Sequence, residues 1–204
     1  MPQILFRSGR HTQEAVAVEP LNDGFTTYLA PDGQPLFSIA HPLEPGGVVV
    51  YRNRPTVPAD LSLISVEQAV LDIANIPTQQ GNPMSMMLRK LVISSLGTDR
   101  FTATQILDST QLPGGNNNDR NPLNKMTQNG SLFPDGVQIV SRLVDPDAWF
   151  IITDHLYGLT FKNYKELYTT SDIRWENEDL RFAVRGRFSV GCPDPRGVYG
   201  NPGG

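Results

Sequence analysis

The sequence has a single cysteine, no long apolar run and no excess of basic charge, and each of these absences excludes a class of protein. Cys192 alone cannot form an internal disulfide, which excludes a disulfide-stapled secreted fold and favours a reducing compartment. No apolar run approaches the roughly 18 residues of a membrane span, and the N-terminus lacks a signal-peptide core. We therefore expect a soluble cytoplasmic protein. The net charge of −4 argues against a protein whose main task is to bind phosphates.

Sequence motifs for catalysis and for metal or cofactor binding are also missing. His11, His41 and His155 are far apart, and none lies in a metalloprotease or nucleophile-elbow motif. Gly114-Gly115 does not precede a helix as a phosphate-binding loop requires. The acids of Asp145-Pro146-Asp147 are the ones a turn favours, and no second cluster with metal-ligand spacing accompanies them. We expect no enzyme activity, no cofactor and no metal.

What is present indicates a globular fold with many turns. The chain has 204 residues, enough for one large domain or two small ones, and 39% of them are hydrophobic against 19% charged. Eighteen glycines and 17 prolines predict a loop-rich structure. The predicted elements alternate between helix and strand, which favours a sheet covered by helices.

The stretch Val137–Asp154 is predicted to form the centre of that sheet. Residues 137–142 alternate as a strand does, Asp145-Pro146-Asp147 makes a turn, and Ala148–Ile152 is apolar enough for a strand buried on both faces. We therefore expect a β-hairpin with Trp149 in the interior of the sheet.

The other elements are predicted from periodicity, capping signals and breakers. Pro20 should end the first helix, and the spacing of Ser65 and Gln68 predicts a capping box for the second. The predicted segments are a helix over 8–18, an irregular surface loop over 41–59 around a short strand at 48–51, a helix after Leu61, a strand within 84–94, a helix over about 99–109, an extended segment over 159–168, a strand over 180–191, and a turn-rich tail from 194 that packs against a neighbour or hangs free.

Two surface features stand out. The asparagine-rich loop between Pro113 and Gly136 is unusually long for a compact domain, and such loops are usually functional or mobile. Strand 180–191 places apolar residues on one face and Arg181, Arg185 and Arg187 on the other. These arginines could bind nucleic acid, but the aromatics of the same strand fall on the opposite face and would not interleave with them. A solvated or inter-subunit face is therefore the favoured interpretation.

Several ordered segments together resemble a known family, the major capsid (coat) proteins of tailed bacteriophages. The resemblance runs from about Asp32 to the C-terminus, and its segments in chain order are D-G-Q-P-L-F-S-I-A-H-P (32–42), S-T-Q-L-P-G-G-N-N-N-D-R-N (109–121), D-P-D-A-W-F-I-I-T-D (145–154) and R-F-S-V-G-C-P-D-P-R-G-V-Y-G (187–200). Cys192 stands where an aromatic residue is usual in the family.

The resemblance implies an α+β fold of Hong Kong 97 type, with a mixed central sheet flanked by helices and a long peripheral-domain strand. It implies that residues 1–31 are a remnant of the peripheral domain and spine helix, 32–170 the axial domain, and 171–204 the returning peripheral strand and tail. Most of the N-terminal arm, the hairpin extension and the spine helix would be missing, because only 31 residues precede Asp32.

The function implied is that of a structural head protein. The subunit would form hexamers and pentamers of an icosahedral virion shell around double-stranded DNA, bound non-specifically, in the cytoplasm of a bacterial host. Its other partners would be scaffold, portal and decoration proteins. Inter-subunit contacts are predicted at Asn116, Asn117, Asn118, Asp119, Arg120, Asn121, Arg181, Arg185 and Arg187. The alternative is a nucleic-acid-binding module that uses Arg174 together with the three arginines of the last strand; an enzyme such as a hydrolase would lack a nucleophile–base pair.

Overall fold

A four-stranded mixed sheet and a long two-stranded hairpin organise the chain, which a computed structural model describes over residues 2–44, 47–111, 119–125, 132–173 and 180–204. No helix in these ranges is both long and apolar enough to cross a membrane. The helices are α1 (Pro2–Asn22), α2 (Leu63–Ala74) and α3 (Asp99–Asp108), and the strands are β1 (His41–Pro42), β2 (Val50–Tyr51), β3 (Leu88–Ser94), β4 (Val137–Val140), β5 (Trp149–Thr153), β6 (Thr160–Ile173), β7 (Leu180–Gly191) and β8 (Val198–Asn201).

The four-stranded sheet has the order β4-β3-β5-β8, with β3 parallel to β4 and the other pairs antiparallel. The predicted hairpin of β4 and β5 is therefore wrong, because β3 lies between them. Leu91 pairs with Val137 on one side and with Ile151 on the other. The physical reason is burial: β3 is almost wholly buried and takes an inner position, whereas β4 exposes Val137 and Ile139 at the sheet edge.

Trp149 is fully buried in β5, as predicted. Trp149 and Ile151 point into one apolar core, which α2 and α3 cover, while Phe150 points into a second core that includes Leu21 of α1. β5 thus carries a core on each face, which is why its sequence lacks polar alternation.

Of the two alternatives predicted for the tail from 194, packing against a neighbour or hanging free, the second is wrong, because residues 198–201 form the buried edge strand β8 paired with β5. Gly200 lies against the ring of Phe37, and a Cβ there would come within 2.7 Å of it. Glycine at this position lets β8 approach the second core closely enough to pair with β5.

The helix boundaries differ from the prediction in two instructive ways. α1 continues through Pro20, because Leu21 is buried and the Asn22 amide donates to Arg142 O at 3.0 Å. These tertiary contacts offset the hydrogen bond that proline cannot make. The capping box of α2 joins Ser62 to Ser65, one turn earlier than the predicted pair of Ser65 and Gln68. α3 confirms its predicted position.

β6 and β7 form a long antiparallel hairpin, and β7 has the bounds that its alternating pattern predicts. α1 packs on one face of this hairpin. Gly9 of α1 faces Val184, and the Gln13 amide donates to Asn163 Oδ1 at 2.7 Å. The apolar face of β7 is therefore the face that α1 covers.

The segment over 41–59, predicted to be an irregular surface loop, is held by a buried polar network. His41 and Asn53 are both fully buried. The ring of His41 lies 2.6 Å from Asp32 Oδ2 and 3.2 Å from both Leu36 O and Asn53 Oδ1. The Asn53 amide donates to Leu36 O at 2.7 Å and to Pro195 O at 3.0 Å. This network ties the segment to the 3₁₀ turn that precedes β8.

We expect Asn53→Asp to destabilise the subunit by about 3 kcal/mol, because it replaces a buried amide donor by a carboxylate that faces two carbonyl oxygens. The free energy of unfolding in urea measures the effect. Asn82→Asp is the matched control, since Asn82 is exposed. Equal stability of the two variants would contradict the assigned role of Asn53.

Candidate inter-subunit surfaces

The predicted arginine face lies on the side of the hairpin opposite α1. Arg181, Arg185 and Arg187 are all exposed and alternate along β7 with residues that face the helix, such as Val184. Their positions across the hairpin are set by the register: Arg187 pairs with Lys165, Arg185 with Tyr168, and Arg181 with Asp172. The structure brings the three arginines together on one exposed surface.

β6 adds further cations and two tyrosines to this face. The Arg187 guanidinium lies 5.6 Å from the ring centre of Tyr164, and Lys162 Nζ lies 5.3 Å from the same ring. Lys165 Nζ lies 4.3 Å from the ring centre of Tyr168. We call the set Lys162, Tyr164, Lys165, Tyr168, Arg181, Arg185 and Arg187 the basic surface.

The expectation that no aromatics interleave with these arginines is wrong, because it considered only the strand that carries them. Tyr164 and Tyr168 come from the neighbouring strand. Two irregularities in β6, between Asn163 and Lys165 and between Lys165 and Tyr168, shift its register, so a strict alternation in the sequence does not reveal them. If β6 and β7 had been predicted to pair as an antiparallel hairpin, their sequences would have placed Lys162 and Lys165 of β6 opposite the arginine strand.

The positive charge of the basic surface affects the pKa of Tyr168. Lys165 Nζ donates to the phenol oxygen at 3.1 Å, and this hydrogen bond lowers the pKa of Tyr168; the positive charges of Lys165 and Arg185 act in the same direction. The surface therefore favours negative charge placed on it.

The asparagine-rich loop divides into three parts. Asn116, Asn117 and Asn118 lie outside the described residues. Asp119 and Arg120 are exposed, which is compatible with contact to another subunit.

Asn121 is buried and bonds within its own subunit. Its amide donates to Ile106 O at 2.6 Å and to Ser109 O at 3.0 Å, and its Oδ1 accepts from Leu123 N. These bonds satisfy carbonyls at the C-terminal end of α3 and anchor the loop there. The side chain of Asn121 is thus a cap of α3 and not a surface group, which corrects its predicted use in an inter-subunit contact.

An acidic end, which sequence reasoning did not find, forms where three segments meet. It consists of Asp60 before α2, Asp99 at the start of α3, and Asp145 and Asp147 between β4 and β5. Within the described part of the chain, none of these carboxylates forms an ion pair. The sequence carries no local pattern for this cluster, because its three segments are far apart in the chain and meet only in the fold.

The pKa of Asp99 reflects the negative charge of the acidic end. Its side chain is buried, and Oδ2 has no hydrogen-bond partner among the residues that the structure describes. Burial, and after it the negative charges of Asp147 and Asp60, together raise the pKa of Asp99 to about 6.

A cavity of about 560 Å³ is lined in part by Asp32, the partner of the buried His41. Asp32, Tyr51 and Arg196 are among its lining residues, and Arg196 pairs with Asp194 at 2.8 Å. His41 faces Leu36 O and Asn53 Oδ1 with its second ring nitrogen, so both ring nitrogens are engaged inside the fold. Among the residues that the structure describes, no group of acids, histidines or cysteine has the arrangement of a metal site.

The family model for phage capsid protein matches residues 1–201 of this chain. The chain belongs to the phage capsid protein family. This membership confirms the resemblance found in the sequence, and the family is one of structural virion proteins. The α+β architecture with a mixed sheet agrees with the coarse fold expected of a family member.

Other comparisons add little to the family membership. No curated protein matches the chain. Among solved structures, the chain is similar to one described as a crystal structure of a virus-like particle from Pyrococcus furiosus, with 13% identity and a TM-score of 0.39. The match covers 73% of this chain and 55% of that one, so the capsid-family chain spans about half the length of this solved relative.

We expect Asn121→Ala to destabilise this capsid-family subunit by about 2 kcal/mol, because two carbonyls at the end of α3 lose their donor. Thermal unfolding followed by circular dichroism measures the change. Asp119→Ala, at an exposed position of the same loop, is the control and should leave the midpoint within about 1 °C. A midpoint for Asn121→Ala that equals the parent's would contradict the capping role.

The raised pKa of Asp99 predicts a pH-dependent effect of Asp99→Asn. The folded chain holds the proton up to about pH 6, whereas the ordinary pKa is 3.8. Asp99 therefore contributes stability below pH 3.8, and this contribution is lost as the pH rises through about 6. Asparagine resembles the protonated form, so the variant should be more stable than the parent above pH 6 and equally stable in acid.

Urea unfolding at a series of pH values tests this expectation. Asp119→Asn removes the same charge at an exposed site and serves as the control. A stability difference between Asp99→Asn and the parent that stays constant across the pH range would contradict the assignment.

Proposed function

We propose that this chain is a major capsid subunit that self-associates into the hexamers and pentamers of an icosahedral phage head enclosing double-stranded DNA. The observation that carries the proposal is the match of the phage capsid family over residues 1–201, almost the whole chain. The proposed fold is the Hong Kong 97 type, and the proposed site of action is the virion, after assembly in the host cytoplasm.

The arrangement of the elements supports a subunit of two parts. α1 packs on the hairpin of β6 and β7, while the four-stranded sheet has α2 and α3 on one face. We propose that residues 1–31 and the returning strand within 171–204 form the peripheral part and that 32–170 form the axial part. β8 returns from the peripheral segment into the sheet and would join the two parts.

The exposed charges support contact between copies. Asp119 and Arg120 lie exposed at the end of α3, and the arginines of β7 lie exposed on the hairpin. Arginine and tyrosine are the residue types that often carry the energy of protein interfaces. We propose that these residues contact neighbouring subunits, and that the DNA bound in the head is held non-specifically.

Imaging of the expressed chain tests the proposal. We expect negative-stain electron microscopy to show closed particles, and sedimentation to show species far heavier than the 22.5 kDa subunit. Arg120→Glu should reduce the yield of particles without lowering the unfolding midpoint, because Arg120 is exposed.

Arg7→Glu is the matched control for this charge reversal. Arg7 is also exposed, and it lies outside the predicted contacts. A chain that stays monomeric at every concentration tested would contradict the proposed function. Normal assembly of Arg120→Glu would instead contradict only the contact assigned to the loop.

A further inference from the structure

The basic surface concentrates positive charge on a chain whose net charge is −4. It carries five cations, Lys162, Lys165, Arg181, Arg185 and Arg187. Two acids of β6 accompany these cations: Asp172 pairs with Arg181 in the register of the hairpin, and the exposed Glu166 follows Lys165 in the strand, so the cations outnumber the acids. Like charges this close destabilise one another unless a negative partner is supplied.

The acidic end shows the opposite imbalance, because its carboxylates have no positively charged partner among the described residues. Asp145 Oδ1 accepts the backbone N–H of Asp147, and Asp60 Oδ1 accepts that of Gly204. These bonds orient the carboxylates but bring no positive charge. Behind them Asp99 is nine-tenths buried, and its Oδ2 has no partner within the described structure. A buried carboxylate oxygen without a donor is rare in folded proteins, so this one adds an unpaired negative group behind the exposed carboxylates.

The two surfaces do not neutralise each other inside one subunit. The described ranges contain ion pairs such as Arg52 with Asp72 and Arg89 with Asp135, but none that joins the hairpin to the acidic end. The basic surface belongs to a hairpin packed on α1, whereas the acidic end belongs to the starts of α2 and α3. A second molecule can bring the two charges together.

We infer that the basic surface of one subunit docks on the acidic end of a second copy of the same chain. This inference rests on the proposed self-association and names the two surfaces that meet. Because the surfaces differ, the contact is heterologous, which is the type that builds closed rings when its rotation closes. Opposite charge steers the encounter of the copies and sets their register.

A second copy fits these observations better than a nucleic acid does. Phosphates would neutralise the basic surface but would leave the exposed carboxylates of the acidic end without a cation. A copy of the chain satisfies both surfaces at once.

Paired charge reversals test the inference. Arg185→Glu with Arg187→Glu makes the basic surface acidic, and Asp60→Lys with Asp147→Lys makes the acidic end basic. Each double variant alone presents like charges at the contact and should need at least about tenfold more protein to assemble. An equimolar mixture of the two double variants restores opposite charges at every contact, so it should assemble at close to the parent's concentration.

Unfolding midpoints of the separate variants show that each is folded, and Arg7→Glu is the control for a charge reversal elsewhere. Asp60→Asn with Asp147→Asn is the milder variant if the lysines prevent folding, and it should weaken assembly in the same direction. Raising the salt from about 0.05 M to about 0.5 M should weaken assembly of the parent, because exposed charges are screened.

The outcomes separate the inference from the proposed function. If the parent forms particles and both double variants do so at the same concentration, or if the mixture does not recover assembly, the inference is overturned and the proposed function stands. If the arginine variant assembles normally but loses salt-sensitive retention on DNA, the basic surface binds nucleic acid and the inference is again overturned. If the parent never associates, both the inference and the proposed function are contradicted.

Discussion

The burial of β5 on both faces and both edges is the constraint that shapes the rest of the subunit. A strand in this position needs a hydrogen-bonded neighbour on each side and an apolar layer above and below. β3 and β8 are the neighbours, and Trp149 and Phe150 enter opposite layers. The Trp149 indole N–H reaches Ala59 O at 3.2 Å, so even its polar atom is satisfied within the fold.

The apolar layers that cover β5 are built from parts of the chain that are far apart in sequence. The second layer contains Phe25 and Phe37, whose rings lie 4.8 Å apart and close to Phe150. α1 enters that layer through Leu21 near its end, while its earlier turns pack on the hairpin at Gly9. A single helix thus links the buried sheet to the hairpin that carries the basic surface.

Local signals in the sequence were enough for some elements and not for others. β7 was found because alternation acts over a few residues, and α3 was found because its apolar residues and the breakers that follow it are local signals too. The family was found from ordered segments that include Asp145–Asp154. The hairpin of β4 and β5 was wrong because strand order depends on β3, which lies far away in sequence. The acidic end and the tyrosines of the basic surface were missed for the same reason: both are set by which segments meet in space, and the bulges of β6 hide the alternation there.

The strength of exposed charge pairs is compatible with the proposed assembly of the subunit. A solvent-exposed ion pair contributes about 0–1 kcal/mol, so a few of them across one contact hold two copies only weakly. Deep polar groups such as Asn53 are instead paired within the subunit, where loss of a partner costs more. The chain therefore keeps its strongly stabilising polar contacts inside the fold and leaves weak, screened ones at its surface. In the proposed shell, weak contacts of this kind would allow a misplaced subunit to leave, while the sum of many contacts would hold the completed shell together.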